Sequence, residues 1–196
     1  MQVIKMKVLN DYRKITPPSF RKHGEVVINH LSNKYNLTVI EKETVDSNEY
    51  IGSFDGENIT VKSSLSDDHK LFLIVHLFGH CVQWCGLGAE KYSNIEETLP
   101  INNDGMISPE KLKELKDYET EAAGYAVQLL NDALDVNLSQ WFADWSHADW
   151  DYFINISSLE NKPNTMDIDV KFGTNLIPPR KITDIRLRKI SPKYAY

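Results

Sequence analysis

At 196 residues, with 41% hydrophobic and 26% charged side chains, the chain has the composition of one ordinary globular domain and enough apolar material for one filled core. Its longest apolar stretch, Leu71 to Phe78, is interrupted by His76 and is too short for a membrane span, and the opening Met-Gln-Val-Ile-Lys-Met-Lys lacks the apolar run of a secretory signal. The formal charge of -6 divides unevenly: residues 171–196 hold seven Lys/Arg against Asp184 alone, and the rest of the chain is acidic.

These features predict a single domain over residues 1–196 in the cytoplasm, with residues 160–196 an irregular basic extension packed on it. The extension has few aromatics interleaved with its charges, so it is expected to dock on the acidic body rather than on nucleic acid. Cys81 and Cys85 lie four apart within one expected helix, a geometry that seldom suits a disulfide, and read as small buried hydrophobes.

In chain order, Pro17-Pro18-Ser19 opens a helix that carries Val26, Val27, Ile28 and Leu31 near helical spacing as far as Tyr35. Leu37-Thr-Val-Ile reads as a short strand. Tyr50–Phe54 and Asn58–Lys62 flank Asp55-Gly56, a dipeptide favoured in tight turns, which predicts a hairpin and a small antiparallel sheet. Ser66-Asp67-Asp68 then supplies a cap and first-turn acids for a helix from His69 to Cys85 that is apolar nearly all round and therefore buried.

After a polar loop, Ser108-Pro109 opens the clearest helix, with Leu112, Leu115, Ala122, Ala126, Leu129 and Ala133 as its core stripe. A further helix over 138–156 carries Trp141, Trp145, Trp150 and Tyr152 as packing groups. Beyond it, prolines punctuate an irregular segment with short strands expected around Asp167–Phe172 and Asp184–Ile190. The fold class is α+β.

Chemistry concentrates on the buried helix. His76-Leu-Phe-Gly-His80 sets two imidazoles one helical turn apart, where both can face one ion. Two histidines on an apolar helix need partners, and the stretch Tyr118-Glu-Thr-Glu-Ala on the following helix brings glutamates to its core face. At about 100° per residue, Glu119 lies about 60° from Ala122, inside the apolar stripe, and Glu121 about 100° away at its edge. Periodicity alone favours Glu119.

The two motifs together resemble those of the ImmA/IrrE metallopeptidase-like proteins, a gluzincin group whose members carry H-E-x-G-H followed by E-A-x-x-[F/Y]-A-x-x-L-L. The counterparts here are His76-Leu-Phe-Gly-His80 and Glu121-Ala-Ala-Gly-Tyr-Ala-Val-Gln-Leu-Leu130, with Ile59-Thr-Val-Lys as the preceding strand, and the resemblance spans residues 20–135. It implies a minimal zincin-like domain in which a small antiparallel sheet packs on the active-site helix. It also implies Zn2+ held by His76, His80 and Glu121; periodicity keeps Glu119 as the alternate ligand, and Fe2+ is the other candidate ion for two histidines and one carboxylate. Active members of the family cleave repressors or regulators, so a protein or peptide partner is expected, with no membrane and no direct nucleic-acid contact.

One departure governs the functional expectation: the glutamate that serves such peptidases as general base is replaced by Leu77, and leucine cannot accept a proton. Peptide hydrolysis is therefore expected to be impaired or absent, a pseudoenzyme acting in regulation or partner binding. Glu119, Asp117, Asp144 and Asp149 are the substitute bases the sequence offers, and His147 and Asp149 are candidates for groups behind the ligands or against a substrate. Two other classes compete: a non-haem Fe(II) oxygenase using the same two histidines and one carboxylate, and a metal-free binding module.

Overall fold

The Pro17-Pro18 pair starts the first helix, because proline already holds the backbone angle of a helical first turn and has no amide hydrogen to leave unpaired. In the computed structural model, which describes residues 17–45, 50–87, 108–157, 169–183, 185–190 and 194–195, this helix, α1, runs Pro17–Tyr35. It buries Phe20, Val27 and Leu31. Asn36 in the left-handed region (φ 54) ends it and turns the chain into β1, Thr38–Lys42.

The expected hairpin forms between β2, Gly52–Phe54, and β3, Asn58–Lys62, paired antiparallel. Its turn is closed by Asp55, whose carboxylate accepts hydrogen bonds from the backbone of Glu57 and Asn58, with Gly56 at φ 88. The sheet as a whole is mixed rather than purely antiparallel. β1 lies on the far side of β3 and runs parallel to it, Thr38 opposite Asn58 through Lys42 opposite Lys62. The chain reverses between β1 and β2, where Val45 bridges Tyr50, so β2 returns antiparallel and β1 must then run with β3.

Helix α2, Asp67–Leu87, lies across the sheet and packs also on α1 and on α3, Pro109–Ala133. All of residues 71–84 are buried, as an all-round apolar helix requires. Ser108 caps α3 by accepting a hydrogen bond from the Lys111 amide (3.2 Å). Helix α4, Ser139–Ser157, follows after a short connection, and its Trp141 and Phe142 fill the space beside Phe20 and Phe72.

The C-terminal segment forms no strand over residues 169–172 or 185–190, the parts of the two expected strands that are described; Asp167 and Asp184 lie outside the described residues. The segment is pinned instead at separate points. Asp144 on α4 accepts from the amides of Gly173 and Thr174 and from the Thr174 hydroxyl; the Arg180 amide donates to the Gly124 carbonyl; and the Ile190 amide donates to the Asp55 carbonyl. Ile177, Ile182, Ile185 and Leu187 pack between these points on the main core. Only β4, Tyr194–Ala195, pairs with the sheet, antiparallel along β2, giving the order β1-β3-β2-β4. Among the described residues no helix is long and apolar enough to cross a membrane.

Candidate metal centre

The site is built where α2 and α3 approach most closely. Gly79 makes that approach possible: a side-chain carbon there would overlap the carbonyl of Ala122 on α3. Glu119 sits one turn before Ala122 and is thereby set opposite His76 and His80, which share a face of α2.

Three donor atoms converge. The Nε2 atoms of His76 and His80 are 3.1 Å apart, and Oε2 of Glu119 lies 3.6 Å from the first and 3.3 Å from the second. All three ligand atoms fall within 4.8 Å of one another, so the cluster could hold a metal ion. His76 and His80 are 3% and 0% exposed and the Glu119 side chain 27%, so of the three donors the carboxylate is the one that reaches toward solvent.

The surroundings favour a neutral His76 and a charged Glu119 carboxylate. Burial, reinforced by neighbouring His80, pushes His76 down to about 3 against the opposing pull of Glu119. Burial alone would raise Glu119, but the opposing influence of His80, with help from His76 and Lys116, outweighs it and holds the carboxyl below its ordinary value. Neutral imidazole and ionised carboxylate are the forms that donate electron pairs to a cation.

Aromatic rings fix the imidazoles. His76 stacks on Phe72 (centroids 5.4 Å), which stacks in turn on Trp145, and His80 lies 4.9 Å from the Tyr118 ring. The Tyr118 hydroxyl accepts from the Trp84 indole at 2.8 Å. On its other edge, Nδ1 of His80 is 3.0 Å from Oε1 of Gln83.

The structure thus brings together His76, His80 and Glu119, the glutamate that helical periodicity selects. Glu121, the ligand carried over from the family resemblance, is not in the cluster. Its Oε2 accepts from the Gln83 amide (3.1 Å) and its Oε1 from the Arg180 guanidinium (2.9 Å), because the two-residue step along α3 turns it toward the C-terminal segment. Sequence reasoning missed Gln83, Arg180 and Gly79. Gln83 stands at helical spacing from His80 and was findable on that ground; Arg180 approaches from 59 residues along the chain and left no local signal.

The remaining candidates lie elsewhere. Leu77 is fully buried and faces the sheet, where a side-chain carbon on Gly52 of β2 would lie 2.8 Å from its Cδ1. Glu119, offered by the sequence as a substitute base, is one of the three donors that could hold an ion. Asp117 is exposed and paired with Lys113 at 2.7 Å. The carboxylate of Asp144 is spent on Gly173, Thr174 and Gln140. Asp149 is buried near Lys116, whose ammonium lies 4.4 Å over Trp150, and His147 is half-buried on α4; neither joins the cluster. Cys81 is buried and Cys85 half-buried at the far end of α2, both free thiols outside the cluster.

Compared with known proteins, the chain matches no family model, and no curated protein and no solved structure shows significant similarity to it.

Proposed function

We propose that this protein binds one divalent cation, zinc foremost, through His76, His80 and Glu119, and that it is a peptidase-related binding protein with impaired or absent hydrolytic activity. The observation that carries the reading is the convergence of two buried imidazole nitrogens and one carboxylate oxygen at a single point. The donors fit the ion chemically: two imidazoles and one carboxylate form a borderline-soft set that suits zinc and leaves one tetrahedral position open.

Zinc, when bound there, supplies a Lewis acid. What the chain withholds is a base. Leu77 packs on the sheet, and the carboxylate nearest the site is itself one of the three donors. A role in holding a protein or peptide partner, rather than cutting it, agrees with that arrangement, as does the resemblance of its two motifs to those of regulatory peptidases.

Elemental analysis of freshly purified protein and of the His80→Ala variant tests the metal. One equivalent of zinc in the natural protein and less than a tenth in the variant is the expected result. Iron in place of zinc, with oxygen uptake, would select the oxygenase chemistry open to the same donor set. An empty protein that also fails to take up added zinc would leave only the metal-free module.

A further inference from the structure

Gln83, Glu121 and Arg180 form a chain of hydrogen bonds that ends on His80. The Arg180 guanidinium donates to Oε1 of Glu121 (2.9 Å); Oε2 of Glu121 accepts from the Gln83 amide nitrogen (3.1 Å); and that nitrogen also donates to the Tyr118 carbonyl (2.9 Å). Oε1 of Gln83 then meets Nδ1 of His80 at 3.0 Å.

The chemistry of these groups fixes their orientation. A backbone carbonyl and a carboxylate accept hydrogen bonds, so Gln83 must turn its amide nitrogen toward Tyr118 and Glu121. Its oxygen is then left facing His80. A carbonyl oxygen accepts only, so the imidazole must carry a proton on Nδ1; in the neutral ring Nε2 is then the lone pair, directed at Nε2 of His76 (3.1 Å) and Oε2 of Glu119 (3.3 Å).

We infer that Gln83, Glu121 and Arg180 are positioning residues that hold His80 in the Nδ1-protonated tautomer, with Nε2 turned toward His76 and Glu119 as the atom that would meet a cation. The inference rests on the metal reading for its purpose and on the hydrogen-bond pattern alone for the tautomer. It gives Glu121 a role as the group that sets the Gln83 amide, and it ties the C-terminal segment to the site. Arg180 is anchored independently, its amide on the Gly124 carbonyl and its aliphatic stem over Gly124, where a side-chain carbon would meet Arg180 Cγ at 2.8 Å.

The test uses the whole protein and two readouts. In metal-free protein, nitrogen-15 NMR of the imidazoles reports the His80 tautomer directly. The natural protein is expected in the Nδ1–H form, and Gln83→Ala in a mixture or the Nε2–H form. Zinc titrated against a chromophoric chelator should bind Gln83→Ala about 10- to 100-fold more weakly than the natural protein, the usual effect of removing a group behind a metal-bound histidine. Glu121→Gln and Arg180→Ala, both at the partly exposed end of the chain, should each weaken it several-fold.

Gln83→Met keeps the side-chain volume but has no carbonyl acceptor for Nδ1–H and should lose the tautomer as Gln83→Ala does, which separates positioning from a general loss of packing; retention of the Nδ1–H form in Gln83→Met overturns the inference. A Nε2–H tautomer in the natural protein, or an unchanged tautomer in Gln83→Ala, overturns the inference. So does unchanged zinc affinity in Gln83→Ala when the natural protein binds zinc. Failure of the natural protein to bind zinc overturns the metal reading instead, and the tautomer then decides the positioning chain by itself.

Discussion

On the proposed reading Leu77 stands where a zinc peptidase carries its base, and its surroundings show why substitution cannot simply return one. The side chain is 0% exposed and seated over Gly52 of β2. A glutamate there would bring a charge into an apolar contact with no partner. We expect Leu77→Glu to lose about 3 to 5 kcal/mol of stability, the scale of an uncompensated buried charge, and to gain no peptidase activity. Urea unfolding and a peptide-cleavage assay read both outcomes; robust metal-dependent cleavage by the variant would show that the carboxylate reaches the site.

The third donor shows what a single sequence can and cannot say at this scale. Spacing places His76 and His80 on one face, and rotation along α3 places Glu119 nearer the core stripe than Glu121; the structure has all three together. Alignment of a motif by its glutamate-alanine pair points to Glu121 instead, because it counts letters and ignores the angle at which each leaves the helix. Arg180 was illegible for another reason: a hydrogen bond between α3 and a segment without regular structure carries no period.

At the scale of elements, the site depends on how near α3 comes to α2. Gly79 stands between the two histidines and against the Ala122 carbonyl, and a backbone oxygen cannot rotate away as a side chain can. Gly79→Ala should therefore separate the helices, costing about 1 to 3 kcal/mol as overpacking does. Because Glu119 is only one turn from Ala122, zinc affinity should fall in the same variant, whereas a substitution such as Gly24→Ala on α1, with open space around it, should leave zinc affinity unchanged. Equal zinc affinity in Gly79→Ala and the natural protein would show that the close approach does not set the glutamate.

Most elements were legible because their signals are local. Ser108-Pro109 caps α3 as expected, and Asp55-Gly56 turns the hairpin. The direction of β1 was not, since a strand's partner and sense depend on where the chain returns after it, and the pairing of β1 with β3 skips β2. The strands expected in the C-terminal segment failed for a related reason. Its apolar residues do alternate, at Ile185, Leu187 and beyond, but they pack on the core while the backbone bonds singly to a turn and a helix.

For the molecule as a whole, the histidines set the response to acid. His23, His30, His69 and His76 are each held below the ordinary value of 6.5, in every case chiefly by burial. A histidine depressed in the folded state binds its proton more readily once unfolded. Stability is then full above about 6.5 and declines as the pH falls, down to about 3 for His76. His69 is the clearest case outside the cluster, its ring tilted against Trp145 at 5.1 Å and, among the described residues, with no hydrogen-bond partner for Nε2. The urea midpoint of metal-free protein should fall between pH 7.5 and pH 5, and His69→Phe should fall less; parallel profiles would mean that His69 titrates alike in both states.

The fastening of the C-terminal segment also bears on when the molecule becomes complete during synthesis. A chain emerging from the ribosome can fold α1, the hairpin, α2 and α3 as each appears, but Glu121 must wait a further 59 residues for Arg180, and Asp55 waits longer still for Ile190. Until then Ile177, Ile182 and Ile185 have not arrived to cover the core, and its apolar surface stays open to water and to other chains. The nascent protein therefore passes through an interval in which its helices exist and its outer strap does not, the interval in which a chaperone would be expected to hold it.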